Sequence, residues 1–200
     1  MSKEWPLPRK GNKYVVVPRF NKKGLPLLIV LRDLLKYGKT KKEVRKIMSE
    51  GNVKINGVVR IDEKLPVFPL DKINVGGKIY SVGFKGKKLE IEEADSEEVI
   101  RKVIGKKLRK GNKIQLNLLF GDNILSDGKE KIGDSLVLDE NKKVIKVLKL
   151  EKGCSVLVIS GKHMGNRGKV KEINEKNVVI ESKEKMIINK KDIIVIENGK

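Results

Sequence analysis

Two hundred residues with 38% hydrophobic and 4% aromatic content suit several small domains better than one large core built on Phe and Trp. Lys and Arg number 46 against 26 Asp and Glu, a formal charge of +20 that calls for a polyanionic partner; no basic amphipathic helix of adequate hydrophobicity appears, which favours nucleic acid over a membrane surface. The longest apolar run, 25–31, contains a proline and falls far short of the roughly 20 residues that cross a bilayer, the start lacks the apolar core of a secretory signal, and a single cysteine cannot form an internal disulfide, as suits a reducing cytosol.

Residues 1–26 carry Arg9, Lys10, Lys13, Arg19, Lys22 and Lys23 against one acid, Glu4, with prolines at 6, 8, 18 and 26. Prolines block helix and the charge opposes independent burial, so this basic arm is expected to order against a partner or the adjacent domain. Val15, Val16 and Val17 are the exception, an apolar run with the character of a short strand. Trp5, the only tryptophan, reads as an anchor packed on the neighbouring domain rather than a base-stacking platform.

Residues 27–76 follow as one unit. Leu27, Leu28, Leu31, Leu34 and Leu35 recur with a helical period, and Gly38 is the residue best suited to a left-handed helix stop. Thr40 then caps a second helix, with Glu43 three residues on in capping-box position. Val44, Ile47 and Met48 form its narrow apolar stripe, and Gly51 ends it. Val53 and Ile55 alternate with Lys54, Asn56-Gly57 has the chemistry of a type I′ turn, and Val58, Val59 and Ile61 return. Outside the stripe the residues are mostly cationic. Lys36, Lys39, Lys41, Lys42, Arg45 and Lys46 crowd the turn and the second helix, with Lys54 and Arg60 on the hairpin. An ordinary solvated helix mixes both signs at four-residue spacing, so a polyanion-docking face is the better reading. Helix, glycine turn, basic helix, glycine and V-x-I-N-G together resemble the small RNA-binding domain first named for ribosomal protein S-four. That domain also occurs in pseudouridine synthases, tyrosyl-tRNA synthetases and small heat-shock RNA-binding proteins.

Residues 77–150 begin at Gly76-Gly77 and read as short strands around one helix. Lys78–Phe84 and Lys88–Ile91 form a hairpin. Asp95 or Ser96 caps a helix with Glu97 and Glu98 in its first turn and Lys106, Lys107 and Arg109 in its last, matching the macrodipole, and with Val99, Ile100, Val103, Ile104 and Leu108 as its buried face. Strands follow at Lys113–Phe120, Ser135–Leu138 and Val144–Leu150, punctuated by turns at 121–123, Asp127-Gly128 and 139–141. Glu90, Glu92, Glu93, Asp95, Glu97 and Glu98 form the only acidic cluster. It has no companion His, no calcium-loop spacing and no apolar pocket, and reads as a solvated surface turned away from RNA or toward a basic protein.

Residues 151–200 supply a second motif. A strand at Cys154–Ser160 leads into Gly161-Lys-His-Met-Gly165-Asn-Arg-Gly168-Lys, a tight basic loop that closely resembles a KOW motif. The expectation is that its glycines bring backbone close to phosphate while Lys162, Arg167 and Lys169 neutralise it, with His163 and Asn166 nearby. Val170–Ile173, Val178–Ile180, Met186–Ile188 and Ile193–Ile196 complete a small SH3-like barrel. A nucleotide-binding P-loop fails on spacing: its first glycine falls on His163, and Val170 replaces the Ser or Thr that would hold magnesium. His163, the only histidine, lacks partners for catalysis or metal binding, and Cys154 reads as a small buried apolar residue rather than a nucleophile.

The order of these parts resembles the archaeal and eukaryotic small-subunit ribosomal protein family S-four-e over nearly the whole chain, most specifically in 25–37, in 44–57 and in 161–169. The family usually has a longer basic start ahead of the Trp and, in eukaryotes, a further C-terminal extension, both absent from this sequence. The resemblance implies an α+β, multidomain fold. Its parts are a basic N-terminal arm (1–26), a two-helix plus β-hairpin RNA-binding domain (27–76), a β-rich central domain with one helix (77–150) and an SH3-like KOW β-barrel (151–200). It implies a structural constituent of the small ribosomal subunit, in the cytoplasm, with small-subunit rRNA and neighbouring ribosomal proteins as partners. No reaction, cofactor, metal, small-molecule substrate, membrane or homo-oligomer is expected. A pseudouridine synthase needs an Asp in an R-L-D context, and that triplet does not occur. A free regulatory or elongation factor with a KOW barrel stays open on charge and motifs, though such factors do not typically place an S-four-type domain first.

Overall fold

The computed structural model of the chain describes residues 4–8, 10–11, 15–19, 24–182 and 184–197. Two compact units meet in sequence between Glu98 and Val99.

In the first unit, β1 (Leu25–Pro26) pairs with β4 (Pro66–Val67) ahead of the helices. A single α-helical turn, α1 (Leu27–Ile29), runs directly into a π-helical stretch, Val30–Leu34. Leu25 and Leu27 through Leu31 are buried, and the first helical N–H groups of Leu27 and Leu28 donate to the carbonyls of Leu65 and Glu63. The wide turn closes through Leu35 N–H to Val30 C=O at 2.9 Å, so Leu34 and Leu35 arrive only half-buried. Lys36, at φ +57, supplies the left-handed stop expected of Gly38. Gly38 instead makes room: a Cβ there would lie 3.0 Å from Val44 and 3.2 Å from Glu43.

The second helix, α2 (Lys41–Ser49), follows the sequence reading closely. Thr40 Oγ1 accepts from Glu43 N–H, the Glu43 carboxylate accepts from Lys39 N–H and Thr40 Oγ1, and Gly51 stops the helix at φ +78. Val44 and Met48 are fully buried, worth about 1.5–3 kcal/mol each.

Beyond α2, β2 (Val53–Ile55), β3 (Val58–Val59), β5 (Lys72–Val75), β6 (Lys78–Lys85) and β7 (Lys88–Glu93) form an antiparallel sheet in the order β3-β2-β5-β6-β7. Asn56 (φ +51) and Gly57 (φ +77) make the expected type I′ turn. Gly76 (φ +59) and Gly77 (φ +91) make another two-residue turn, with Val75 opposite Lys78. That Gly-Gly pair is therefore a hairpin turn, and the strands expected to open the middle domain continue the sheet of the preceding one. Trp5 is buried in this unit, its indole N–H donating to Gly24 C=O at 3.1 Å, as an anchor should be. Val15 and Val16 pack half-buried on the same core without joining a ladder.

The second unit holds two five-stranded antiparallel sheets. The first contains β8 (Val99–Leu108), β9 (Ile114–Leu118), β10 (Asn123–Ser126), β11 (Ser135–Leu138) and β12 (Val144–Leu148), in the order β10-β9-β8-β11-β12. The expected helix over 96–109 is thus the central strand β8. Val99, Ile100, Val103 and Ile104 are β-branched, and hydrogen-bonding to β11 along 99–102 and to β9 along 103–108 outweighs the helical spacing of the apolar residues. Of its predicted buried face only Val99 and Val103 are buried; Ile104 and Leu108 are exposed, and Arg101 and Lys102 are buried instead. Strand β10 fills the interval between the turns expected at 121–123 and Asp127-Gly128, where no strand is expected.

The second sheet contains β13 (Ser155–Val158), β14 (Arg167–Ile173), β15 (Asn177–Glu181), β16 (Lys185–Asn189) and β17 (Ile193–Val195), in the order β16-β15-β14-β13-β17, with a 3-10 turn at Lys190–Asp192. This is the small SH3-like barrel read from the sequence. Each sheet has its own hydrophobic cluster. Lys102 joins the two by donating to Lys190 C=O and, at 2.8 Å, to Ile193 C=O, and Ser135 Oγ accepts from Val195 N–H at 3.0 Å.

Candidate nucleic-acid interface

Burial of Val44 and Met48 turns Lys41, Lys42, Arg45 and Lys46 outward from α2. Their electrostatic state is not uniform. Glu63, a buried carboxylate, takes the Arg45 guanidinium through two hydrogen bonds of 2.8 and 3.0 Å and the Lys41 ammonium at 2.8 Å. The Arg45 hydrogen bonds hold its pKa below the usual carboxylate range with help from Lys41, while burial pulls the other way. Lys41 and Arg45 are therefore oriented side chains with half their charge already balanced. Lys36, Lys39, Lys42 and Lys46 are exposed and form no salt bridge among the described residues. The turn carrying Lys36 and Lys39 is pinned by Tyr37, whose hydroxyl sits 2.8 Å from that of Tyr80 with the rings edge to face. Burial and that hydrogen bond push the Tyr37 phenol up to about 12.

Lys54 is exposed on β2 between buried Val53 and Ile55. Arg60 is half-buried, and its Nε has no hydrogen-bond partner among the described residues. Lys10 is exposed, and Arg19 pairs with Asp62 at 3.0 Å. Arg9, Lys13, Lys22 and Lys23 lie outside the described residues.

In the barrel, the loop from β13 to β14 turns on Gly161 (φ +88) and Gly165 (φ +86), is anchored by buried Met164, and closes through Gly165 N–H to Val158 C=O at 2.8 Å. Lys162 and Asn166 stand exposed on it, and His163 is half-buried. Along β14, Arg167 and Lys169 face solvent while Gly168 and Val170 face inward. Gly168 has a packing role rather than the phosphate-facing one expected of it: a Cβ there would fall 2.5 Å from Glu181 C=O.

Sequence reasoning missed the buried cations of β8. Arg101 is almost fully enclosed, 3.3 Å from Asp122 and over the Phe120 ring at 5.6 Å, with Lys142 sharing the same carboxylate at 2.9 Å. Burial pulls the Lys102 ammonium down to about 8. No local pattern marks these residues, because their burial depends on strands paired across the sheet. The acidic cluster offers no catalytic pairing. Glu90 binds Lys85, Asn74 donates to Glu97, and Glu92, Glu93 and Asp95 are exposed. Burial raises the Cys154 thiol, which fits an unreactive side chain. Among the described residues no group of acids, His or Cys is arranged to hold a metal, and no helix is long and apolar enough to cross a membrane.

Residues 152–181 match the KOW motif and residues 80–145 match the ribosomal family S4e. The small ribosomal subunit protein eS4 of Archaeoglobus fulgidus is 38% identical over 177 residues, covering 84% of this chain and 75% of that protein. The chain belongs to the ribosomal S4e family. The eS4 protein of Methanocaldococcus jannaschii, also of this S4e family, is 32% identical over 212 residues, covering 97% of this chain and 82% of that one. A crystal structure of the 30S ribosomal protein S4e from Thermoplasma acidophilum superposes with a TM-score of 0.73 at 25% identity, covering 87% of this chain and 95% of its own. S4e is a family of ribosomal structural proteins, not of enzymes.

Proposed function

We propose that this chain is a structural constituent of the small ribosomal subunit, in the cytoplasm, holding small-subunit rRNA through several separate basic surfaces and lying beside other ribosomal proteins. The observation that carries the reading is the pairing of S4e membership with two rigidly built cationic faces in separate units. One is the α2 face, with Lys36, Lys39, Lys42 and Lys46 outside any salt bridge among the described residues and Lys41 and Arg45 aligned by Glu63. The other is the β13–β14 face of Lys162, Asn166, Arg167 and Lys169. Each contact is weak alone; joined in one chain they act as linked ligands whose affinities multiply. With aromatics at 4%, phosphate and shape dominate over base stacking.

Sedimentation of the tagged protein from a lysate at low and high salt, with RNA extracted from each fraction, tests this. Stoichiometric migration with small subunits that survives a high-salt wash is the expected result. Recovery in light fractions with heterogeneous RNA overturns it in favour of a free regulatory factor.

A further inference from the structure

Beyond Val103 and Leu116 the hairpin of β8 and β9 leaves its own hydrophobic core: from Ile104 to Lys113 no described side chain is buried. The turn at Lys110–Asn112 is closed by Arg109 N–H to Lys113 C=O at 2.9 Å, and Gly111, at φ +78, supplies its left-handed residue. Lys106, Lys107, Arg109, Lys110 and Lys113 fall within this tip, and the sequence contains no carboxylate between Glu98 and Asp122. Asp122 itself is taken by Arg101 and Lys142. Among the described residues none of the five tip cations forms a salt bridge.

One face of the tip is built rather than merely charged. Arg109 Nε donates to Gln115 Oε1 at 2.8 Å, and Gln115 Nε2 donates to Asn117 Oδ1 at 2.9 Å, a relay that crosses from the end of β8 to β9 and runs on along β9. It fixes the guanidinium through Nε and leaves both Nη nitrogens without a hydrogen bond among the described residues, the fork that grips a phosphate in two places. Lys107, opposite Gln115 in the ladder, is exposed beside it. Lys106 is tied back to Gly128 C=O at 2.7 Å, bracing the base of the tip. The hairpin has no aromatic residue on which an unpaired base would stack. Leu108, 69% exposed, suits the sugar-lined, shallow minor groove of an A-form duplex.

We propose that the β8–β9 tip is a separate RNA-binding finger that lies on the backbone of a double-stranded rRNA segment. Arg109 grips one phosphate, and Lys107, Lys110 and Lys113 neutralise its neighbours. The proposal rests on the rRNA-binding reading above and adds a contact which that reading does not need.

The test is hydroxyl-radical footprinting and salt titration of the full chain on full-length small-subunit rRNA from its source cells. It compares the wild type with a combined Lys107→Glu, Arg109→Glu, Lys110→Glu variant and with Gln115→Leu. The triple variant is expected to lose one protected patch on a duplex while keeping the others, bind at least ~10-fold more weakly at ~0.15 M salt, and show a salt slope shallower by about 2–3. Gln115→Leu keeps every charge, so its slope should stay and its affinity fall about threefold through the loosened guanidinium. All patches retained with an unchanged slope, or a lost patch that maps to single-stranded RNA, overturns the finger while leaving the rRNA-binding reading intact. A wild-type chain without any footprint refutes that reading itself.

Discussion

Glu63→Gln probes whether α2 is a positioned basic face or a loose one. The Glu63 side chain is 8% exposed and accepts two hydrogen bonds from Arg45 and an ion pair from Lys41, whose own side chains are 61% and 47% exposed. Solvent screens the attraction at the cation ends, so the loss sits with the buried acceptor and amounts to about 1–2 kcal/mol. In a chain of 200 residues that lowers the melting temperature by roughly 2–8 °C. The Glu63 pKa is lowered in the folded state, so its contribution is present above the ordinary carboxylate value of 4.5 and is lost as pH falls through the folded value. The gap between wild type and variant should therefore be full at about pH 7 and close below about pH 4.5. Releasing Arg45 and Lys41 also supplies up to two further phosphate ligands, steepening the salt slope of RNA binding by about 1–2. Thermal melts across pH and a salt titration on small-subunit rRNA measure both effects. A variant that melts with the wild type at neutral pH, or a gap that ignores pH, refutes the account of Glu63.

Reversing Lys42 and Lys46 to Glu, the exposed cations of α2 that no carboxylate among the described residues balances, should make the salt slope shallower by about 2 and leave the melting temperature unchanged; an unaltered slope removes α2 from the interface. Lys162→Glu with Arg167→Glu and Lys169→Glu should cost a similar or larger slope and a different set of footprints, while a shared set would mean that the two surfaces touch one RNA segment. Gly168→Ala places a Cβ about 2.5 Å from the Glu181 carbonyl, where backbone must yield, so a destabilisation of about 1–3 kcal/mol is expected in a denaturant titration; a neutral result contradicts the close approach of β14 to β15. For Lys102 the folded pKa, about 8, lies below the ordinary 10.5, so between those values the unfolded chain holds the proton that the folded chain has lost, and stability rises with pH by up to about 3 kcal/mol. Lys102→Met should lack that rise, and parallel pH profiles for variant and wild type would show the ammonium to be solvated.

What the sequence made legible is local chemistry. Thr40 with Glu43, Asn56-Gly57, Gly51 and the strands of the barrel each carry their signal within a few residues, and all appear where that signal places them. The failures arise where the deciding partner is distant. Val99–Leu108 spaces its apolar residues like a helix and charges its ends like one, yet it is the middle strand because β9 and β11 pair on either side. Gly76-Gly77 serves a linker and a tight hairpin equally well in sequence, and only the pairing of Val75 with Lys78 separates the two. Lys36 takes the left-handed stop expected of Gly38 because the π-helical turn shifts where the helix ends.

Net charge hid a division of labour among the cations. Arg45 and Lys41 meet Glu63, Arg101 and Lys142 meet Asp122, and Lys102 meets two backbone carbonyls; each of these side chains ties strands or helices together. Removing one takes a partner from a buried or half-buried group and weakens the fold. Lys42, Lys46, Lys107, Lys110, Lys162 and Lys169 are exposed and form no salt bridge among the described residues, so folding gains little from them and their mutual repulsion opposes it. A chain of formal charge +20 that leaves such groups unbalanced is arranged for a partner that brings the missing negative charge. The two classes of cation should accordingly separate in experiment: substitution in the first lowers melting temperature at any salt, and substitution in the second changes only RNA affinity and its salt dependence.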